Sequence, residues 1–492
     1  MQVVEDNVRI QREDSLEYYK IICSFPYQNH PIFYENDSVR KAYIKLLHHY
    51  AKKDVHYQKY YKPIITLYEH CFNIEEEEIC KEQTSQSSLK LAKEIRKTRW
   101  KLEKAKLYVY NYKYMFFAHY LLLIYGYVSM DHPCVLDVTY KHNLKINYKD
   151  AETIVRFINA LKAGDFEAAK SYLNLKKFHY LRFYYDAYKK QVEFLKDVEK
   201  RYLIVGTMSS GKSTFLNSLI GQEIFPSQNE ACTSKVFTYA HRPYIKHFIV
   251  QHDQSEFFDC LIDGVESTMN ELNENPLIEH VYVEGKMSDI FQVESRVVFI
   301  DTPGTNNSMN RSHEDITFKA IQSEQYDAIF YLINATQLGT DDDRRLLSYV
   351  KEHIENNSDK QVVFIVNKAD EIDEEANESL QGLLESTKTY LKQNGFEKPS
   401  IILLSAYVGN LCQKVLKGED LTRREQNQFD FFYDYFAEET QDLTKYATIP
   451  CAFQAEVPND QREVKIKNKT YDIKRIYTVL QQSGIYQIKN YM

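Results

Sequence analysis

Residues 201–221, RYLIVGTMSSGKSTFLNSLIG, set the architecture that this chain can adopt. The stretch begins with an apolar run at 202–205, which is typical of a buried strand. GTMSSGKS follows at 206–213 and fits the pattern G-x-x-x-x-G-K-[ST]. An amphipathic segment at 213–220 then predicts a helix. Because loops of this pattern lie between a strand and a helix, we expect residues 206–213, the phosphate loop, to hold phosphate groups.

Each residue type in the phosphate loop has a chemical reason to be there. Gly206 and Gly211 let the backbone turn so that successive N–H groups point at phosphate oxygens. Lys212 can reach the outer phosphates, and the Ser213 hydroxyl can ligate Mg²⁺. The predicted nucleotide-binding residues of the loop and the first helical turn are Gly206, Ser209, Ser210, Gly211, Lys212, Ser213 and Thr214.

The composition bounds the class of protein. A chain of 492 residues is longer than one ordinary domain, and 43% of its residues are hydrophobic, which is enough to form buried cores. Only 14 glycines and 11 prolines favour a helix-rich chain with few long linkers. The net charge of −8 argues against a general nucleic-acid binder. The eight cysteines form no C-x-x-C pair, so we expect a reduced, cytoplasmic compartment and no zinc site.

Residues 1–196 predict an all-α helical domain. A helix should follow the capping residues at 37–38, and a helical hairpin should occupy 151–175, turning at 164–165. A last helix, at 177–200, runs into the strand at 202 without a linker, which favours docking over tethering.

A stretch at 114–130 contains no Lys, Arg, Asp or Glu. It is short for a membrane span and contains His119 and Gly126, so a helix buried in a bundle is the better interpretation. A membrane span and a surface that binds membrane or a partner stay open as alternatives.

From residue 197 onward, strand and helix patterns alternate. The predicted strands are 202–205, 236–240, 297–301, 328–333, 362–367 and 401–405. The predicted helices among them include 313–323, 341–352 and 374–392. This alternation predicts an α/β domain with a mostly parallel sheet and helices on both faces.

The strand at 297–301 ends in residues suited to phosphate and Mg²⁺, and a loop after the first helix adds another. Asp301, in the sequence DTPG, can hold Mg²⁺ through water. Gly304 can offer its N–H to a terminal phosphate and move when that phosphate leaves. Thr233, in EACTSKVF, can supply a further Mg²⁺-binding hydroxyl.

Two other strands end in residues suited to a guanine base. In the sequence Asn367-Lys368-Ala-Asp370, the carboxylate can accept from the ring N–H and the exocyclic amine of guanine, a donor pair that adenine lacks. The small-residue turn at Ser405-Ala406 can touch the base. The order of all these motifs predicts a P-loop GTPase that uses GTP and Mg²⁺, in preference to an ATPase.

The sequences GTMSSGKSTFLNSLIG, DTPGTNNS, NATQLGTDDDRRLL and NKAD, in this order, resemble the bacterial dynamin-like GTPases over residues 201–492. A long span between Ser213 and Asp301 and the insertion LTRREQNQFDFFYDYF separate the chain from small Ras-like GTPases. The resemblance implies a dynamin-type GTPase domain at 197–492. It also implies GTPase domains that dimerise across the nucleotide and drive a helical stalk, often at membranes.

The resemblance also implies individual roles. Ser209 lies where the family neutralises transition-state charge, and Met208 replaces the water-positioning Gln of eukaryotic dynamins. We therefore expect backbone near Thr233 or Thr305 to hold the attacking water. The chain stops at Met492, where family members continue into further stalk helices, so its stalk is N-terminal, supplied by a partner, or absent from a fragment. The implied catalytic residues are Ser209, Lys212, Thr233 and Gly304, and the implied metal ligands are Ser213, Thr233 and Asp301.

Two functions remain open at this point. The first is a dynamin-like mechanochemical enzyme; the second is a nucleotide-switched regulator or scaffold that binds a protein partner without membrane contact. The implied partner is a second copy of the chain, and a second dynamin-like subunit and a lipid membrane stay open, whereas no nucleic acid is expected. The expected location is the cytoplasm, with a peripheral place at the inner membrane left open. The membrane alternative lacks a recognisable tip of aromatics beside Lys and Arg.

Overall fold

The computed structural model describes thirteen stretches of the chain: 30–51, 62–71, 112–125, 146–226, 235–255, 258–305, 311–323, 325–355, 360–372, 379–436, 441–450, 452–453 and 463–492. The chain divides into two compact units. Unit 1 comprises Met1–Asp197, Tyr244–Ile249 and Glu256–Ile262. Unit 2 comprises Val198–Pro243, Val250–Ser255 and Asp263–Met492.

Unit 1 is built from helices around an aromatic-rich core. Its described helices are α1 (Asp37–Ala51), α2 (Lys62–Cys71), α3 (Tyr112–Tyr125), α4 (Tyr148–Lys162), α5 (Phe166–Leu173) and α6 (Arg182–Lys196). The uncharged α3 contributes fully buried side chains such as Phe117 and Leu121, so its apolar character serves a protein core. Among the helices that the structure describes, none is long and apolar enough to cross a membrane. The remainder of the predicted 114–130 stretch, residues 126–130, lies outside the described residues.

The predicted helical hairpin is present as α4 and α5. Gly164 adopts a left-handed φ of 69°, and the Asp165 side chain caps α5 by accepting from the backbone N–H of Ala168 at 2.9 Å. The predicted helix at 177–200 is wrong at both ends. Residues 176–181 form a 3₁₀ turn, and Glu199 and Lys200 belong to the first strand, where pairing with Arg296 and Val297 satisfies their backbone.

Unit 2 contains most of the sheet, and all six predicted strands are present in it. The strands are β1 (Glu199–Gly206), β2 (Val236–His241), β3 (Phe248–His252), β4 (Asp259–Leu261), β5 (His280–Gly285), β6 (Arg296–Asp301), β7 (Ala328–Asn334), β8 (Gln361–Asn367) and β9 (Ser400–Leu403). Their order is β4-β3-β5-β2-β6-β1-β7-β8-β9. Strand β2 runs antiparallel to β6, while β6, β1, β7, β8 and β9 pair in parallel. The predicted fold class, a mostly parallel α/β sheet after a helical region, is confirmed.

The helices of unit 2 connect and flank these strands. They are α7 (Lys212–Ile220), α8 (Val265–Glu274), α9 (Arg311–Gln322), α10 (Asp341–Glu355), α11 (Leu380–Gln393), α12 (Ala406–Lys417), α13 (Arg423–Tyr435) and α14 (Ile473–Gln482). A short hairpin of β10 (Glu463–Ile466) and β11 (Lys469–Asp472) precedes α14. Strand 401–405 was predicted too long, because Ser405 already caps α12 by accepting from the N–H of Val408.

Candidate nucleotide-binding site

The carboxyl ends of five parallel strands bring the predicted motifs to one edge of the sheet. The phosphate loop follows β1, Asp301 ends β6, and Asn367 ends β8. Between them in the sheet, β7 ends at Asn334, which pairs in register with Asn367. Ligands of open α/β sheets bind at this edge, so the topology places the motifs where a nucleotide would lie.

The two glycines of the phosphate loop lie where neighbouring atoms leave no room for a Cβ. A Cβ on Gly206 would lie 2.6 Å from the Leu332 carbonyl oxygen. A Cβ on Gly211 would lie 2.3 Å from Asn367 Nδ2, and Gly211 also has a φ of 86°. Ser209 adopts a φ of 63°, so the backbone turns sharply just before α7.

The Lys212 side chain is buried and folded against its own loop. Its Nζ donates to the carbonyl oxygens of Gly206 at 3.0 Å and Thr207 at 3.2 Å. Burial lowers the pKa of Lys212, and the nearby Asp301 carboxylate opposes that shift. The ammonium group therefore lies inside the loop, next to the acidic end of β6.

Asp301 is fully buried and has the chemistry of a cation ligand. Its Oδ2 accepts from Ser213 Oγ at 3.5 Å, whereas its Oδ1 has no hydrogen-bond partner among the described residues. Burial raises the pKa of Asp301 to about 7, against the opposing effect of Lys212. An unpaired buried carboxylate oxygen beside a serine hydroxyl forms an all-oxygen donor set that fits Mg²⁺.

The segment after Asp301 packs tightly on the phosphate loop. A Cβ on Gly304 would lie 2.9 Å from Met208 Cα and 3.2 Å from Lys212 Nζ, so only glycine fits without displacement. Thr305 continues the contact, because its carbonyl oxygen accepts from the Met208 N–H at 3.4 Å. Thr305 Oγ1 is buried and has no hydrogen-bond partner within the described ranges.

Asn367 joins the phosphate loop to the loop after β9. Its Nδ2 donates to the Ser210 carbonyl oxygen at 2.9 Å, and its Oδ1 accepts from the Ala406 N–H at 3.0 Å. The side chain is 2% exposed. Both polar ends of Asn367 are thus used in holding loops together.

Asp370 and Ser405 form the other end of the site. Asp370 Oδ1 is buried and meets no partner in the part of the chain that the structure describes. Burial raises the pKa of Asp370, and a hydrogen bond with Ser405 opposes that shift. The backbone of Ser405 is held in turn by the residue that follows α14: the Ser405 N–H donates to the Ser483 carbonyl oxygen at 2.8 Å.

A cleft of about 710 Å³ lies against part of this site and reaches Asn367 and Asp370. It is lined by Gly211 of the phosphate loop, by Thr214 of α7, and by Lys368 and Asp370 after β8. Its remaining wall comes largely from α13, which the sequence did not assign to a site. The α13 residues that line the cleft are Arg424, Asn427, Gln428, Phe431 and Phe432.

Asn334 is a second residue that the sequence interpretation missed. Its Nδ2 donates to the Ser209 carbonyl oxygen at 3.3 Å, and its Oδ1 accepts from the N–H and hydroxyl of Thr336. Asn334 directly follows the predicted strand at 328–333 and begins the sequence NATQLGTDDDRRLL, so its position at a strand end could have identified it. Thr233, by contrast, lies outside the described residues, so its predicted role stays a prediction.

Residues 203–369 match a family model described as the dynamin family. A bacterial dynamin-like protein of Nostoc punctiforme is 27% identical over 186 residues, covering 35% of this chain and 25% of that protein. Dynamin-like protein A of Bacillus subtilis is 26% identical over 187 residues, covering 36% of this chain and 14% of that protein. The matched part is therefore a quarter or less of each relative's length.

A solved structure described as an oligomerised bacterial dynamin pair, with a mechanism for long-range sensing and tethering of membranes, is also similar. It shares 14% identity, with 84% of this chain and 58% of that chain covered, at a TM-score of 0.35. That likeness is too low to assign a function. The family match, the order of the motifs and their convergence at one edge of the sheet agree: residues 203–369 are similar to the dynamin family, and the chain resembles the bacterial dynamin-like proteins.

Proposed function

We propose that this chain binds GTP with Mg²⁺ and hydrolyses it at the phosphate loop. The observation that carries the proposal is one cleft lined by Gly211 and Thr214 together with Lys368 and Asp370. A cleft shared by a phosphate-binding loop and a buried carboxylate suited to guanine matches what a guanine nucleotide needs.

At the phosphate end, each residue has a defined task. The N–H groups at the start of α7 and the Lys212 ammonium bind phosphate oxygens. Ser213 and, through water, Asp301 would hold Mg²⁺, which supplies charge stabilisation at the phosphate oxygens when bound. Ser209 is proposed to face the charge that develops in the transition state, and Thr233 to add a hydroxyl ligand.

Positioning of the attacking water has to proceed without a glutamine, since Met208 offers no side-chain hydrogen bond. The buried Thr305 hydroxyl supports an alternative, because it lies beside Met208 and has no partner among the described residues. We propose that this hydroxyl and the adjoining backbone position the attacking water by hydrogen bonds. The Gly304 N–H then contacts the terminal phosphate.

We further propose that GTP-loaded domains pair across the nucleotide and that pairing is coupled to motion of the helical unit, at a membrane surface or with a second dynamin-like subunit. This part rests on similarity to bacterial dynamin-like proteins over 35% of the chain. A peripheral place at the inner membrane follows from the same similarity. The regulator or scaffold without membrane contact stays the alternative.

The enzymatic proposal is tested by phosphate release from GTP and ATP, with and without Mg²⁺. The wild type should hydrolyse GTP and require Mg²⁺, and Lys212→Ala should lose at least about a hundredfold in turnover, because it removes a charge that meets the transition state. A thermal melt that matches the wild type shows that the variant is folded. Wild-type turnover in Lys212→Ala would reject the assignment.

Pairing and membrane binding need separate measurements. Light scattering should show a monomer with GDP and a dimer with GDP and aluminium fluoride. Co-sedimentation with anionic liposomes, with and without GTP, separates the two functions. An unchanged mass in every nucleotide state and no liposome binding would favour the regulator.

A further inference from the structure

We infer that helix α13 forms the outer wall of the base pocket and that Phe431 sets the affinity for guanine nucleotides through the base. This inference rests on the proposed function. It concerns the insertion LTRREQNQFDFFYDYF, to which neither the motifs nor the family match at 203–369 assigns a role.

One face of α13 points into the cleft. Arg424, Asn427, Gln428 and Phe431 follow one another at helical spacing and all line it. The same cleft is lined by Lys368 and Asp370, the residues expected at the base. The phosphate loop reaches the same cleft at Gly211, so a nucleotide with its phosphates at that loop would place its base and ribose toward Lys368, Asp370 and α13.

Contacts at the start of α13 fix the helix in place. Its start carries a capping box, in which Thr422 and Glu425 exchange side-chain to backbone hydrogen bonds. Lys414 pairs with Glu425 at 2.8 Å and with Glu223 at 2.9 Å, which ties α13 to α12 and to the segment after α7. Helix α13 is therefore anchored independently of any ligand.

The middle of α13 is held as well. Asp430 accepts from the Tyr471 hydroxyl at 2.6 Å and pairs with Lys469 at 2.6 Å, both on the β10–β11 hairpin. On the cleft side, the Tyr407 hydroxyl donates to Gln428 Oε1 at 2.6 Å, which joins α13 to the turn after Ser405. A wall held on two sides can present a ring in a fixed orientation, which lowers the cost of ordering on binding.

Phe431 has the exposure expected of a ligand contact. It is 57% exposed, whereas its neighbours Phe429 and Phe432 are 0% and 6% exposed. A purine base offers a planar face of the right size, and stacking on an aromatic side chain strengthens binding by about tenfold or more. Arg424 and Asn427 add hydrogen-bond donors at the same face.

Calorimetric titration with GDP and with a non-hydrolysable GTP analogue tests the inference. Phe431→Ala should raise both dissociation constants by about tenfold and by the same factor, because the base is common to both ligands. Phe431→Trp keeps an aromatic face and should leave both dissociation constants at their wild-type values. The matched control is Phe453→Ala, at a phenylalanine that is 38% exposed and does not line the cleft.

The outcomes separate this inference from the proposed function. A wild type that binds neither nucleotide would overturn both. If the wild type binds and the dissociation constants of Phe431→Ala are within twofold of the wild-type values, the role of α13 and Phe431 alone is overturned. A loss of affinity for the GTP analogue but not for GDP would have the same consequence. If Phe431→Ala does not fold by circular dichroism, Arg424→Met gives a second reading, and unchanged affinity in that variant would also overturn the inference.

Discussion

Asn367→Ala is the substitution that most directly tests how the site is held together. The Asn367 side chain is 2% exposed and makes two hydrogen bonds to backbone groups that are far apart in sequence. Truncation leaves the Ser210 carbonyl and the Ala406 N–H without these partners inside the protein. The change therefore acts on the phosphate loop and on the turn after Ser405 at the same time.

The expected magnitude follows from those two groups. An unsatisfied buried backbone group costs about 1–3 kcal/mol, so the two together should lower the free energy of unfolding by about 2–6 kcal/mol. For a unit of this size, that corresponds to a fall in melting temperature of about 4–24 °C. Since Gly211 abuts Asn367, GDP affinity should also fall by at least about tenfold.

Differential scanning fluorimetry and calorimetric titration with GDP measure the two effects. Asn394→Ala is the matched control, because Asn394 lies at the far end of α11 and donates one partly buried hydrogen bond to the Tyr390 carbonyl at 2.8 Å. It should lose no more than about 1.5 kcal/mol and keep wild-type GDP affinity. A melting temperature of Asn367→Ala equal to that of Asn394→Ala would refute the bridging role.

Two further predictions concern the base and the helical unit. Asp370→Asn should shift preference from guanine to xanthine nucleotides, since an amide both accepts from the ring N–H and donates to the extra carbonyl; equal preference in competition titrations would contradict it. Acid should destabilise unit 1, because burial lowers the pKa of His119 to about 3, beside His30 and the hydroxyls of Tyr43 and Tyr68. The unfolded state binds the proton near pH 6.5 and the folded state does not, so stability present above pH 6.5 is lost as the pH falls, by about 2 kcal/mol at pH 5. Melting curves at pH 7.5 and 5.0 should show a smaller difference for His119→Gln than for the wild type, and an equal difference would count against the argument.

The strands that could be predicted from sequence are the ones buried on both faces. Strand β7 is buried at every position and β8 over its last five, so both are continuous apolar runs between polar ends. Strands β3, β4 and β5 were missed, because they mix polar with apolar residues: Tyr282 in β5, for example, is 43% exposed. Such half-exposed strands lack the continuous signal and are specified by pairing with their neighbours in the sheet.

Within the site, the sequence indicated residue types at strand ends but not the contacts among loops. Asp301 and Asp370 were assigned from local pattern, and the structure gives each a buried oxygen without a described partner. Helix α13 was identified only as an insertion. Its contribution to the cleft depends on packing against α12 and the β10–β11 hairpin, which no local pattern encodes.

The double use of Asn367 changes how variants in the Asn-Lys-Ala-Asp motif should be interpreted. A loss of GTP binding on substituting Asn367 would ordinarily be assigned to the base, because the motif lies at the base end of the cleft. Its two hydrogen bonds, however, run to Ser210 and Ala406, so the phosphate loop is disturbed as well. Asp370 bonds to Ser405 on the base side, and the described residues show no hydrogen bond from its side chain to the phosphate loop; its Oδ1 meets no described partner. Base recognition can therefore be isolated at Asp370, whereas Asn367 reports on the mechanical connection between the two ends of the nucleotide site.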